Sequence, residues 1–100
     1  MADTAVVVKE TTKSKIREPK KYKVIMLNDD YTPMEFVVAV LVSIFRKSDK
    51  EAINVMMQVH NEGSAIAGIY NYEIAEQKSV EATNLARDNS YPLQIKIEAE

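Results

Sequence analysis

Residues 93–98 read Leu-Gln-Ile-Lys-Ile-Glu, and this stretch decides the fold class. Successive side chains of a strand point to opposite faces. Leu93, Ile95 and Ile97 therefore go in, and Gln94, Lys96 and Glu98 go out. A sheet with one wet face pairs its strands antiparallel and carries its helices on the other side. Two more strands are predicted upstream. Lys21 to Asn28 (KYKVIMLN) is β-branched and aromatic. Ser64 to Tyr70 (SAIAGIY) reads as a buried strand, and its Gly68 predicts close approach of another backbone.

Three helices fill the gaps. Asn28-Asp29-Asp30-Tyr31 is a turn, and Thr32-Pro33-Met34-Glu35 reads as a helix start: Thr32 as N-cap, Pro33 at the first helical position, Glu35 completing a capping box. This helix is expected to reach about Lys47. Phe36, Val37, Val40, Leu41, Ile44 and Phe45 surround most of its circumference, which implies burial on more than one side. Ser48-Asp49-Lys50-Glu51 is a second capping box. It opens a helix carrying Ile53, Met56, Met57, Val59 and His60 that stops near Gly63. A third helix covers Glu73 to about Asp88, with Ile74, Ala75, Ser79, Ala82, Leu85 and Ala86 on one face. Small residues dominate that face and let the helix lie close on a sheet. Lys78 falls within it, either snorkelling from the edge or marking a contact surface. The order β-α-α-β-α-β makes an α+β two-layer sandwich, an antiparallel three-stranded sheet under three helices. Residues 1–20 lack a sustained apolar period and read as a flexible N-terminal extension, leaving 21–100 as the single domain.

Composition removes most enzyme classes. The chain has no cysteine, two glycines and one histidine, His60. Thiol nucleophiles, disulfides, thiolate metal sites, multi-histidine metal sites and glycine-rich phosphate loops are thereby disfavoured. No cofactor and no metal are expected, and a reducing cytoplasm is the natural setting. Residues 1–20 hold five basic and three acidic residues, whereas 21–100 hold eight and twelve. A mildly acidic domain argues against a duplex-binding surface, so no nucleic-acid partner is expected. Ala5-Val6-Val7-Val8 is too short for a signal-peptide core, and no run approaches the roughly 20 apolar residues of a membrane helix.

The polar residues worth weighing are Asn28, Asp29, Asp30 and Thr32 in one strand-to-helix loop, and His60 on the second helix. Asn and Asp favour turns, and negative charge at a helix start is stabilised by the helix dipole by about 0.3–1 kcal/mol. The same groups could also recognise a small cation. His60 reads either as a core histidine with a partner or as a neutral imidazole that accepts one hydrogen bond and donates another. Met34, Met56 and Met57 either fill core gaps or form an adaptable pocket wall. No nucleophile–base pattern surrounds the serines and threonines, and no carboxylate repeat suits a metal.

Three stretches resemble a known family. Tyr22-Lys23-Val24-Ile25 together with Asn28-Asp29-Asp30-Tyr31-Thr32-Pro33-Met34-Glu35-Phe36-Val37 is similar to the signature of ClpS, the bacterial N-end-rule adaptor of the ClpAP protease. Met56 to Gly63 resembles its V-H-x-x-G segment, and Ala86-Arg87-Asp88-Asn89 with Pro92-Leu93 resembles its closing segment. The likeness runs in register over about residues 20–98. It implies a fold like the C-terminal domain of the ribosomal stalk protein, with a flexible N-terminal extension. It implies a non-catalytic, monomeric adaptor that binds N-degron substrates beginning with Leu, Phe, Tyr or Trp. These it hands to the N-terminal domain of the ClpA unfoldase, an AAA+ protein. Carried over, Asn28, Asp29, Asp30 and His60 would hold the substrate's α-amino group. Asp30, Thr32, Met34, Val37, Met56, Val59 and Leu93 would line the pocket, with Met34 gating against Ile and Val. Glu73 and Lys78 would dock the unfoldase. Two other readings stay open: a stalk-protein-like module binding a translation factor, and a small Asp/His hydrolase.

Overall fold

The computed structural model describes residues 20–100, so the expected extension lies outside the described residues apart from Lys20. Its elements run β1 (Tyr22–Leu27), α1 (Met34–Ser43), α2 (Asp49–Glu62), β2 (Ser64–Tyr70), α3 (Tyr72–Asp88) and β3 (Gln94–Ala99). The three strands form one antiparallel sheet in the order β2-β1-β3. The expected α+β sandwich is therefore the observed architecture.

The central strand shows why one face of the sheet is dry. Val24 and Met26 of β1 are fully buried, while Tyr22, Ile25 and Leu27 are only half-buried. Along β3, Ile95 and Ile97 are half-buried and pack against the core while Gln94, Lys96 and Glu98 are exposed, as the alternation requires. The core between the layers takes Val37, Val40, Leu41, Ile44 and Phe45 from α1 and the turn after it, and Ala52 and Val59 from α2. From α3 it takes Ala75, Ala82 and Ala86. Each large apolar side chain fully buried here contributes about 1.5–3 kcal/mol. Ile74 and Leu85, expected on the buried face of α3, instead sit at its edge and are partly exposed. The buried line runs through Ala75, Ser79, Ala82 and Ala86, and both branched residues lie roughly a quarter turn round the helix from it.

Both ends of α1 differ from expectation. Thr32 is not an N-cap: Pro33 occupies that position in an extended conformation, without a side-chain capping bond, so the Thr32–Glu35 box does not form. Thr32 instead donates its hydroxyl to Asp29 Oδ2 at 2.8 Å. The helix also stops at Ser43 rather than near Lys47. Arg46 takes a left-handed conformation (φ 58°), and Lys47 N–H donates back to the Leu41 carbonyl at 3.0 Å. No glycine announces this reversal in the sequence. The Ile44 carbonyl at this end accepts from Lys78 Nζ at 2.7 Å, a cation placed where the helix dipole favours it.

Local signals elsewhere succeed. Ser48 and Glu51 form the reciprocal capping box, and Gly63 ends α2 in the left-handed region at φ 91°. β2 is not buried on both sides: Ala65 and Ala67 are buried, but Ile66 and Ile69 are exposed. Its register shifts by one residue, Val24 pairing with Gly68 and Ile25 with Ile66. Gly68 does make room for a neighbour, but that neighbour is the Tyr70 ring rather than a backbone. No helix of the described residues is long and apolar enough to cross a membrane.

Candidate functional site

The site begins with one hydrogen bond. Asn28, just past the end of β1, donates its backbone N–H to the Gly63 carbonyl at 2.9 Å. Gly63 in turn closes α2 by donating to the Val59 carbonyl at 3.0 Å. The end of a strand and the end of a helix are thereby clamped together, with His60 on the last turn of that helix.

From Asn28 the chain enters a loop organised by Asp29. Asp29 Oδ1 accepts from the backbone N–H groups of Tyr31 at 2.8 Å and Thr32 at 2.7 Å, and Oδ2 from the Thr32 hydroxyl. A side chain replacing backbone acceptors in this way is what makes Asp a turn former. Partial burial pushes the Asp29 carboxyl up. The bonds from Thr32 and Tyr31, together with the Arg87 charge, outweigh it and hold the group below the usual carboxylate range. Asp30 projects from the same loop and is exposed.

Met34 and Val37 lie one turn apart at the start of α1, and Met56, Val59 and His60 share one face of α2. With Asn28, Asp29, Asp30 and Thr32 they line a single cavity of about 250 Å³. That is smaller than the roughly 300–1,000 Å³ usual for drug-sized ligands and suits a single side chain with a polar head. Its apolar wall comes from the two helices. The loop and His60 provide acceptors and negative charge. His60 is exposed at this wall and is not a core histidine. Met34, 41% exposed, stands at the surface of the cavity.

Leu93, expected in the pocket wall, is 1% exposed and belongs to the core cluster that also holds Val37 and Val59 of the cavity. Glu73 and Lys78 lie elsewhere, on α3. Lys78 is half-buried, bonded to the Ile44 carbonyl and 5.4 Å from the centre of the Tyr70 ring.

Arg87 was not singled out as a site residue, although it stands in the Ala86–Asn89 stretch quoted above. Its Nη1 donates to the carbonyls of Tyr91 and Leu93, each at 2.9 Å, fixing the α3–β3 connection. Its charge also acts on Asp29. Tyr31 is 78% exposed and lines a second depression on the other side of the loop, with Pro92 and Gln94. The loop is thus a ridge between two hollows. Among the described residues no group of three His, Asp or Glu side chains could hold a metal ion.

Comparison with known proteins adds a further observation. Residues 17–96 match the family model described as ATP-dependent Clp protease adaptor protein ClpS. An ATP-dependent Clp protease adapter protein ClpS from Gluconobacter oxydans is 55% identical over 82 residues, 82% of this chain and 69% of that protein. The protein of the same name from Treponema denticola is 54% identical over 84 residues, 84% of this chain and 83% of the relative. Among solved structures, Agrobacterium tumefaciens ClpS2 bound to L-phenylalaninamide superposes with a TM-score of 0.80 at 47% identity. It covers 83% of this chain and all (100%) of that one.

Proposed function

The chain belongs to the ClpS family of ATP-dependent Clp protease adaptor proteins, and from that membership we propose how it works. It binds the free α-amino group and the bulky first residue (Leu, Phe, Tyr or Trp) of N-degron substrates, and delivers them to the ClpA unfoldase of the ClpAP protease. The observation that carries this reading is the joining of the Asn28–Asp30 loop, His60 and an apolar helix wall in one side-chain-sized cavity. The phenylalaninamide held by the Agrobacterium relative supports it, because that ligand has a free amine and an aromatic first side chain.

The amine is held by the Asn28 amide oxygen, the His60 ring and the Asp30 carboxylate. Asp29 already accepts three hydrogen bonds within its loop, so it acts mainly through its charge and by shaping the loop. The side chain enters between Met34, Val37, Met56 and Val59. Met34 obstructs a branch at Cβ, where Ile and Val are widest. Burial of Leu or Phe gives about 1.5–3 kcal/mol, and each bond from the charged amine about 1.5–3 kcal/mol. Three such bonds total roughly 6–12 kcal/mol with the side chain, before the cost of association, which leaves micromolar affinity within reach.

Glu73 at the start of α3 docks the N-terminal domain of the unfoldase. Lys78 contributes to the same surface, but its bond to Ile44 gives it a structural role too, so Glu73 is the cleaner residue to probe. The adaptor acts as a non-catalytic monomer in the cytoplasm. The deciding experiment is a fluorescence titration with a peptide beginning with Leu or Phe and with its N-acetyl form. The free peptide binds and the acetylated one does not; equal binding of the two overturns the reading.

A further inference from the structure

A groove runs between α3 and β3, lined by Tyr72, Glu76, Ser79, Val80, Thr83 and Ile97 among others. Its floor is apolar where Tyr72 and Val80 stand about half exposed, at 47% and 52%. The Ser79 hydroxyl in it is buried and has no partner among the described residues. Glu76 is exposed in the groove, and Glu73 is exposed at the adjoining depression that shares Tyr72 with it. The cations of that helix do not line the groove: Lys78 reaches to the Ile44 carbonyl and Arg87 to those of Tyr91 and Leu93. β3 is an edge strand, so its outer backbone groups pair with no other described strand. Such edges accept a further extended segment.

The chain enters the described domain at the mouth of this groove. Lys20 lines a shallow depression with Tyr72 and Glu73, and Tyr72 is common to the depression and the groove. Lys21 accepts a hydrogen bond from Glu100 at 2.9 Å, next to the end of β3. The residues just upstream, Lys9 to Arg17 (KETTKSKIR), carry four basic residues and one acidic. Eleven residues, 9–19, reach at most about 35–40 Å. Tyr72 to Thr83 spans about 17 Å along the helix. Reach is therefore sufficient, and the signs of charge are complementary.

We propose that residues 9–17 dock in the α3–β3 groove of their own chain. The segment lies alongside β3, with its basic side chains toward Glu73 and Glu76 and Ile16 against Tyr72 and Val80. Docked there it borders Glu73, so it competes with whatever engages that residue; this consequence alone rests on the adaptor reading. Because the chain has no cysteine, Thr12→Cys provides a single site for a nitroxide label on the full chain. Amide resonances of Glu76, Val80, Thr83 and Ile97 are expected to lose most of their intensity, while those of Ile66 and Ile69 on the opposite edge keep theirs. High salt, or Glu73→Gln with Glu76→Gln, is expected to restore the lost signals, as screening and charge removal require. Full intensity in the groove overturns the proposal. So does broadening that survives both salt and the double substitution. Broadening that appears only when labelled chain is mixed with unlabelled, isotope-enriched chain assigns the groove to a second copy and equally overturns it. The experiment uses no unfoldase and no substrate, so its outcome is independent of the adaptor function.

Discussion

Asp29 combines two roles that substitution can separate. Asp29→Ala deletes three hydrogen bonds of 2.7–2.8 Å and frees the loop that carries Asn28 and Asp30. The abandoned donors are exposed or only part-buried, so water replaces the lost acceptor in part. The cost then resembles loss of a helix cap, about 1 kcal/mol within a range of 0.5–2. For a domain of this size that lowers Tm by roughly 4–8 °C. Asp29→Asn keeps an oxygen acceptor for the two backbone N–H groups but has no charge. It is expected to hold most of the stability while weakening binding of a peptide with a free N-terminal amine. The pH dependence has a definite sign. The Asp29 carboxyl is held below its ordinary value of 3.8. Its contribution is therefore complete above that pH and is lost as pH falls through the lower folded-state value. Thermal melts of the three proteins between about pH 2 and 6, with peptide titrations at neutral pH, measure all of this. Equal Tm for wild type and Asp29→Ala would refute the loop-organising role. An Asp29→Asn protein that binds like wild type would refute the electrostatic one.

Three other substitutions test separate parts of the reasoning. Met34→Ala is expected to relax discrimination against peptides starting with Ile or Val while still binding Leu; an unchanged Leu-to-Val ratio in competition titrations removes Met34 as the gate. Gly63→Ala places a Cβ in open space but at φ 91°, so the cost is backbone strain alone, about 1–2 kcal/mol in chemical denaturation. Because Gly63 anchors Asn28, peptide affinity should fall with it. Ser48→Ala breaks the capping box of α2 far from the cavity residues of the loop, lowering stability by about 1 kcal/mol with peptide affinity unchanged; a parallel loss of affinity would show that the helix start and the site are coupled.

The elements that were legible in the sequence are those closed by short-range chemistry. Ser48 and Glu51 satisfy each other within one turn, Gly63 is free to adopt a left-handed conformation, and β3 alternates strictly. The start of α1 misled because Asp29 Oδ1 already takes the Thr32 N–H that a capping box would offer to Glu35, which holds Thr32 in the loop and leaves Pro33 at the cap position. Its end misled because a non-glycine residue, Arg46, makes the reversal. Lys78 looked out of place on its helix because the group it serves, the Ile44 carbonyl, lies on another helix.

The sequence by itself determined the order of elements, the antiparallel sheet and the cluster of polar residues in the strand-to-helix loop, because periodicity, caps and side-chain chemistry are local properties. Only the tertiary structure decided which of those residues share a cavity. Asn28 and His60 belong to different elements, and what joins them is a backbone bond from Asn28 to Gly63 that no side-chain pattern encodes. The same packing places Leu93 in the core cluster with Val37 and Val59, and gives Arg87 the carbonyls of Tyr91 and Leu93 to hold at the α3–β3 connection. Burial and long-range hydrogen bonds depend on the whole chain closing on itself, so their outcome cannot be read one segment at a time.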